Sequence, residues 1–280
     1  MHDGAGIPGG FSVMRLLIDD GFAAKPYTVP IATTWISPGP GFDVSLVEHL
    51  AADEMTPQDA ALIPASEIRI LSATHDVIPD VAIVADGVGA VAMRTPVRPD
   101  EIASTPVRLL EAGRAAELLA RATLLPFYGI TPTTWVRADD APEAARAEVV
   151  IVEGAEALRE PEAGFSEDLA RAWFILTAQP VVSHVLLIPR EIPEEDARRI
   201  VRFLEEVRSV GTERRREWRM PLADREGVGR DRATAFWAAQ RFILAADDRP
   251  ALLDLLAKGS RGTSAWSPST LPFREGTSTE

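Results

Sequence analysis

Two neighbouring stretches decide the fold of this chain: Asp59-Ala-Ala-Leu-Ile-Pro-Ala-Ser-Glu-Ile68 and Ile78-Pro-Asp-Val-Ala-Ile-Val-Ala-Asp-Gly87. Each contains a run of small and β-branched apolar residues, a pattern typical of a buried strand, and each run ends abruptly in a polar turn. In an open α/β sheet, ligands bind outside the carboxyl ends of the strands. We therefore expect the two strand exits, Pro64-Ala-Ser66 and Ala85-Asp-Gly87, to border a functional site.

Composition argues against several classes of function. The chain has 280 residues, of which 46% are hydrophobic and 25% are charged, enough for one large core or two modest ones. Its net charge of −13 argues against nucleic acid as a partner, because phosphate binding needs clustered positive charge. There is no cysteine, which removes disulfides and thiolate nucleophiles. No His-x-x-x-His or Glu-x-x-His spacing occurs, so neither a metal site nor a cofactor is predicted.

The beginning of the sequence carries no export signal that we recognise. Residues 1–10 have neither the basic start nor the apolar stretch of a secretory signal. No run approaches the length of about eighteen apolar residues that a membrane span needs. We therefore expect a cytoplasmic protein that does not insert into a membrane. A homodimer is possible, but the sequence does not decide the oligomeric state.

Strand and helix patterns alternate along the chain, which predicts an α/β fold with largely parallel sheets. Two strand-rich stretches, 26–95 and 130–188, are too far apart for one simple sheet and predict two lobes with a cleft between them. The expected domains are a first lobe of 11–95 plus 189–259, a second lobe of 96–188, and a flexible tail of 260–280. The predicted elements are helices at 11–24, 43–52, 113–124, 166–177, 193–209 and 231–257, and strands at 26–35, 59–64, 78–85, 88–95, 131–136, 147–152 and 181–188.

Five motifs between residues 59 and 185 follow one another in an order typical of a known family. They are Asp-Ala-Ala-Leu-Ile-Pro at 59–64, Pro-Asp-Val-Ala-Ile-Val-Ala-Asp-Gly at 79–87, Gly-Arg-Ala-Ala at 113–116, Val-Glu-Gly-Ala-Glu-Ala-Leu at 152–158, and the segment 168–185 with its Trp, Thr and Pro. This series resembles the menaquinone-biosynthesis family that includes chorismate dehydratase of the futalosine route. The resemblance implies a two-lobed fold of the type II periplasmic-binding-protein kind, with the ligand between the lobes.

The departures from the family pattern fall where the ligand is expected. Hydroxyl side chains of the family are replaced by Ala90, Ala115 and Ala116, and an aspartate is replaced by Ala155. Each lost hydrogen-bonding partner costs about 1–3 kcal/mol when the ligand's polar group is left unpaired. The resemblance therefore implies the fold, but with a changed ligand or a weakened activity.

The residues expected to line the cleft and bind the ligand are Ser12, Ser66, Asp86, Gly87, Gly113, Arg114, Ala115, Gln179, Ser183 and His184. Arg114 and the amides beside it stand at a helix start, where an anion is stabilised, although a solvent-facing arginine gives the same pattern. Asp86 and Gly87 also fit an ordinary tight turn. A histidine in an apolar run, such as His184, is more often a buried hydrogen-bonded residue than a base. The segment Arg214-Arg-Arg-Glu-Trp-Arg219 is expected to be a solvated helix face.

Two functions of different classes are consistent with these observations. One is a divergent menaquinone-biosynthesis enzyme, a carbon–oxygen lyase of the chorismate dehydratase type that removes water from a small cyclic carboxylate. The other is a non-catalytic solute-binding protein that holds a small organic anion. No residue is assigned a catalytic role from the sequence.

Overall fold

The computed structural model describes residues 14–39, 41–137, 141–260 and 271–275, which form two sheets covered by helices. The strands are β1 (Met14–Asp19), β2 (Phe42–Val47), β3 (Ala60–Pro64), β4 (His75–Ala85), β5 (Val91–Thr95), β6 (Ser104–Leu110), β7 (Thr131–Val136), β8 (Val149–Glu153), β9 (Phe165–Asp168), β10 (Val181–Pro189) and β11 (Gln240–Arg241). The α-helices are α1 (Lys25–Ala32), α2 (Ile68–Leu71), α3 (Arg114–Thr123), α4 (Ala155–Leu158), α5 (Leu169–Thr177), α6 (Glu194–Glu213), α7 (Arg215–Arg225), α8 (Arg230–Ala238) and α9 (Arg249–Gly259).

Both sheets are mixed, with a parallel part and an antiparallel part. The first sheet has the order β11-β4-β10-β3-β1-β2, and the second has the order β7-β6-β8-β5-β9. In the first sheet β1 runs parallel to β2 and β3, whereas β10 is antiparallel to β3 and β4. In the second sheet β6 runs parallel to β7 and β8, whereas β5 is antiparallel to β8 and β9. The expectation of largely parallel sheets was therefore wrong, because both segments that follow a crossing between the sheets, β5 and β10, enter antiparallel to their neighbours.

The chain passes between the sheets twice. It leaves the first sheet after Ala85 and enters the second at Val91, then leaves the second after Asp168 and returns at Val181. The crossings expected near Thr95 and Pro189 lie earlier, because β5 pairs within the second sheet and β10 pairs within the first. We propose that the lobes follow the sheets, with the first built around 14–85 and 181–260 and the second around 91–168.

The first three predicted elements were assigned to the wrong type. Residues 14–19 form a strand instead of a helix, and residues 42–47 form a strand instead of the helix predicted at 43–52. Leu17 packs into one hydrophobic cluster while Leu16 and Ile18 pack into another, so β1 is buried on both faces. A short, continuously apolar run fits a buried strand or a buried helix equally well, which explains the error.

Residues 25–32 form a helix instead of the strand predicted at 26–35. Pro26 occupies the first turn of α1, where a proline is tolerated because that amide has no partner within the helix. The buried face of α1 packs against α6, and Gly211 permits the close approach, since a Cβ there would stand 2.4 Å from the carbonyl oxygen of Pro26. Tertiary packing thus overrides the strand propensity of the β-branched residues in this segment.

The C-terminal helices follow the prediction in part. The arginine-rich segment is helical, as α7, and α6 packs on the first sheet as expected, whereas α9 contacts both β10 and α3. The helix predicted at 231–257 is broken by β11, which pairs with β4. Of the predicted flexible tail, residues 271–275 are described: the Val77 amide donates to the Pro272 carbonyl, and the Arg274 amide donates to the Val77 carbonyl. No helix in the described ranges is both long and apolar enough to cross a membrane.

Candidate ligand-binding cleft

The carboxyl ends of the parallel strands in both sheets open onto one cleft. The strands β1, β3, β6 and β8 all end at this cleft, whose volume is about 710 Å³. The site therefore follows the rule for open α/β sheets, in which ligands bind beyond the carboxyl ends of the strands. The polar and charged residues that line it are Asp19, Asp20, Lys25, Glu48, His49, Glu67, Glu111, Arg114, Arg137, Glu153, Glu156, Arg159, His184 and Glu226.

A small apolar chamber adjoins the cleft. Its volume is about 60 Å³, and it shares five residues with the wall of the larger cleft, Ala23, Ala90, Ala115, Glu153 and His184. Alanine, valine and leucine side chains supply most of the remaining wall, together with Phe236. The combination is common in small-molecule sites, where apolar walls hold the body of the ligand and a few polar groups orient it.

A buried acid–histidine pair stands where the chamber meets the cleft. Nε2 of His184 lies 3.1 Å from Oδ2 of Asp19, and the two residues are 6% and 3% exposed. Asp19 also accepts hydrogen bonds from the amides of Gly21 at 2.9 Å and Leu50 at 2.8 Å. Burial alone would raise the pKa of the Asp19 carboxyl, but the interaction with His184 and the two amides outweighs it and lowers the pKa.

His184 is held through both ring nitrogens. Its Nδ1 lies 3.1 Å from Oγ of Ser183, which in turn donates to the carbonyl oxygen of Ile83 at 3.1 Å. Both ring nitrogens are thus engaged within the protein, as expected from the sequence for a histidine in an apolar run.

Glu153 is the second carboxyl at this junction. It is the last residue of β8, and its Oε2 accepts a hydrogen bond of 2.7 Å from the amide of Gly113, immediately before α3. Burial raises the pKa of the Glu153 carboxyl, and the charge of Asp19 adds to that effect, whereas the Gly113 amide and the imidazole of His184 oppose it. The pKa values of the two carboxyls at this junction are thus shifted in opposite directions. Such a difference favours the charged form of Asp19 and the neutral form of Glu153.

An ion pair joins the two lobes across the cleft. The guanidinium of Arg114, in α3, lies 2.8 Å from Oε2 of Glu67, in the turn that follows β3, and 3.5 Å from Asp53. Glu67 also accepts from the Ala52 amide at 3.1 Å and from the Ser66 hydroxyl at 2.9 Å. These contacts hold Arg114 in place, so the carboxylate partner that the sequence analysis assigned to the ligand is supplied within the chain.

Six of the predicted site residues lie together around the cleft and chamber: Ser66, Gly113, Arg114, Ala115, Ser183 and His184. The Gly113 amide, expected to bind a ligand anion, instead donates to Glu153. The three alanines at family hydroxyl positions differ in location, because Ala90 and Ala115 line both cavities while Ala116 is buried within the core.

Three predicted residues lie elsewhere. Asp86 forms a two-oxygen ion pair with the Arg241 guanidinium, because β11 pairs beside the end of β4. Gly87 faces a separate groove of about 550 Å³, and Gln179 follows α5 without lining either cavity. Ser12 lies outside the described residues.

Sequence reasoning missed Asp19, Glu67 and Glu153. Asp19 and Glu153 each end an apolar run that becomes a parallel strand, which is the signal used successfully for the exit of β3. The first was missed because the pattern at 11–24 predicts a helix. Glu153 enters the sequence pattern only as part of the motif at 152–158, and Glu67 gives no sequence signal beyond its place after a strand.

Similar structures show which fold this is. Protein AF1704 from Archaeoglobus fulgidus superposes with a TM-score of 0.64 at 14% sequence identity, covering 89% of this chain and 97% of that one. The periplasmic aliphatic sulphonate binding protein SsuA from Escherichia coli superposes with a TM-score of 0.57 at 15% identity, with 96% of each chain covered. The ligand binding component of an ABC-type import system from Staphylococcus aureus gives 0.59 at 11% identity, covering 93% and 96%. The protein therefore has the two-lobed periplasmic-binding-protein fold.

Sequence comparison identifies the family. No curated protein matches the chain significantly. A family model described as Menaquinone biosynthesis matches residues 45–261, a span that includes the ends of β3, β6 and β8 and the whole of β10. Because this match covers most of the sequence, the chain belongs to the menaquinone biosynthesis family.

Proposed function

We propose that this protein is a divergent member of its family that binds a small cyclic carboxylate in the cleft between the lobes. The observation that carries the proposal is the position of the apolar chamber at the junction with the cleft, where the ring of such a ligand meets alanine and valine side chains. Polar groups of both lobes converge at the same junction. By its name, the Escherichia coli neighbour binds an aliphatic sulphonate, so an organic anion is a ligand of that protein with this fold.

Ligand screening tests the proposal directly. Chorismate, benzoate and other small cyclic carboxylates should raise the melting temperature of the protein, by an amount that corresponds to about 2.7 kcal/mol at a concentration of 100 times Kd. Stabilisation by sugars, nucleotides or metal ions alone contradicts it.

A matched pair of variants tests the location of the site. Ala115→Phe fills space at the junction of the two cavities, whereas Ala238→Phe places the same side chain at an exposed position on α8. We expect the first variant to lose ligand-induced stabilisation and the second to keep it. Equal ligand stabilisation in both variants would show that the ligand does not bind in the cleft.

The alternative, binding without turnover, is favoured by a specific observation. Both nitrogens of His184 are engaged within the protein, and the family's hydroxyl positions are Ala90 and Ala115. A single donor to the transition state is worth about 10²–10³ in rate, so the loss of two leaves little activity. Incubation with chorismate followed by mass spectrometry distinguishes the two functions. A turnover rate of about 1 s⁻¹ or faster identifies a working hydro-lyase.

The cytoplasmic location and the homodimer stay predictions. Cell fractionation tests the first, and light scattering of the purified protein tests the second.

A further inference from the structure

The charged side chains of the cleft restrict how a carboxylate ligand can be bound. Acidic side chains outnumber basic ones along its described wall, and the Lys and Arg side chains there already hold carboxylates. Lys25 pairs with Asp20, Arg114 with Glu67 and Arg137 with Glu117, while Arg159 pairs with Glu156 and contacts Glu226. A carboxylate ligand therefore needs a hydrogen-bond donor that is not already engaged.

Glu153 has the position that such a donor requires. It lines both the cleft and the chamber, and its Oε2 is fixed by the Gly113 amide. Its Oε1 has no hydrogen-bond partner among the described residues. The side chain also packs closely against Gly113, because a Cβ there would stand 3.1 Å from Oε2.

Burial favours the neutral form of Glu153, and the charged groups around it act in both directions. The carboxylate of Asp19, from the end of β1, repels a negative charge at this point. The imidazoles of His184, from β10, and His49, from the loop after β2, have the opposite effect, but His184 is already paired with Asp19. Arg114, at the start of α3, is paired with Glu67. Burial therefore decides the balance, and the pKa of Glu153 is raised.

We propose that the protonated carboxyl of Glu153 donates a hydrogen bond from Oε1 to the carboxylate of the ligand and thereby selects small acids in an acidic cleft. The inference rests on the proposed function, since it concerns how the same ligand is held. A hydrogen bond between a carboxylic acid and a carboxylate is charge-assisted and about twice as strong as a neutral one. The bond is available only while Glu153 keeps its proton, so affinity for the acid falls as the pH rises.

Isothermal titration of the full-length protein with benzoate and with chorismate, over a range from about pH 5 to about pH 9, tests this proposal. For wild type we expect Kd to increase about tenfold for each pH unit above the range in which Glu153 titrates. Glu153→Gln keeps an acceptor for Gly113 and offers an N–H donor at every pH, so its Kd should be nearly independent of pH. Glu153→Leu has no donor and should bind at least about tenfold more weakly than Glu153→Gln throughout.

Glu54→Gln is the matched control, because Glu54 is exposed and lines neither the cleft nor the chamber. Its binding should follow the wild-type dependence on pH. Difference infrared spectroscopy without ligand checks protonation independently: a carboxylic C=O band of wild type and of Glu54→Gln should be lost in Glu153→Gln.

The failures of the two proposals are distinguishable. If wild type binds neither acid at any pH, the proposed function is wrong, and the role of Glu153 is withdrawn with it. If wild type binds but Glu153→Gln shows the same dependence on pH, or Glu153→Leu binds as well as wild type, the cleft holds the acid by other groups and only this inference is overturned. Thermal unfolding of each variant without ligand verifies that it is folded.

Discussion

Asp19 carries a buried negative charge that three donors stabilise, namely the imidazole of His184 and the amides of Gly21 and Leu50. A buried charge left without its partner costs far more than the pair itself contributes. The stability of the first lobe at this point therefore depends on keeping both members of the pair.

Replacing one member of the pair should destabilise the protein strongly. We expect Asp19→Asn to lower the free energy of unfolding by about 3–5 kcal/mol, because the buried interaction of this carboxylate with His184 is lost. Asp20→Asn, next in sequence, removes a partly exposed pair with Lys25 and should cost less than about 1 kcal/mol. Urea denaturation of both variants measures the difference, and equal effects contradict the role given to Asp19.

The raised pKa of Glu153 should make stability depend on pH. The folded protein holds this proton more tightly than the unfolded chain, whose carboxyl has its ordinary pKa of 4.5. The unfolded state therefore binds fewer protons above that value, and stability falls as the pH rises through the raised pKa. We expect wild type to lose stability relative to Glu153→Gln as the pH rises above about 4.5 in urea titrations. A constant difference between the two proteins above that pH contradicts the assignment.

The segment that carries the chain from β4 to β5 packs closely against the start of α5. The Gly89 amide donates to Oδ2 of Asp168 at 2.9 Å, and the Asp168 carboxylate also accepts from the amide of Ala170. A Cβ at Gly89 would stand 2.6 Å from the Cβ of Ala170. The two crossings between the sheets thus contact one another at a point with no room for a side chain.

We expect Gly89→Ala to lower the free energy of unfolding by about 1–3 kcal/mol, because the added methyl group overlaps α5 and displaces the crossing. Gly39→Ala is the control, since no atom lies within 4 Å of a Cβ built there. Thermal unfolding of the two variants tests this packing, and a Gly89→Ala protein as stable as the control shows that the segment moves aside freely.

The elements that could be predicted from sequence are those with the clearest hydrophobic patterns. The strands β3, β4, β7 and β10 and the helix α3 were confirmed, because strong apolar runs or a clear helical stripe define them. The predictions for β1, α1 and β2 were wrong. Burial of β1 on both faces removes the alternation that distinguishes a strand from a helix, and packing of α1 against α6 overrides its strand propensity.

The candidate site was predictable to a similar extent. Ser66, Gly113, Arg114 and Ala115, which the exit of β3 and the start of α3 indicated, lie around the cleft and chamber, and their role in ligand binding stays a prediction. Sequence could not show that the Gly113 amide and Arg114 bind acidic residues of the chain itself, because Glu67 and Glu153 are 47 and 40 residues away from them.

At the scale of the whole molecule, the pair of Arg114 and Glu67 connects the lobes across the ligand cleft. The side chain of Glu67 is 2% exposed, whereas that of Arg114 is 46% exposed, so one end of the bridge is anchored and the other faces solvent. The pair therefore adds to the contacts between the two lobes.

Removing the bridge should open the molecule. We expect Arg114→Ala to increase the radius of gyration in small-angle X-ray scattering and to lower stability by about 1.5–3 kcal/mol, because Glu67 loses a charge-assisted hydrogen bond. Arg137→Ala is the control, since Arg137 also lines the cleft but pairs with Glu117 in its own lobe. Identical scattering from both variants contradicts a bridge that holds the lobes together.

The position of β10 has a consequence for the order in which the protein is made. In the first sheet β10 lies between β3 and β4, although more than ninety residues of sequence separate β10 from β4. During translation, β5 to β9, which form the complete second sheet, are therefore synthesised before β10, the strand that pairs with both β3 and β4. Until then two strand edges of the first sheet stay unpaired, and exposed edges of this kind promote aggregation. During synthesis, the second lobe can finish folding first. The nascent first lobe exposes unpaired strand edges, and these are what a chaperone would shield.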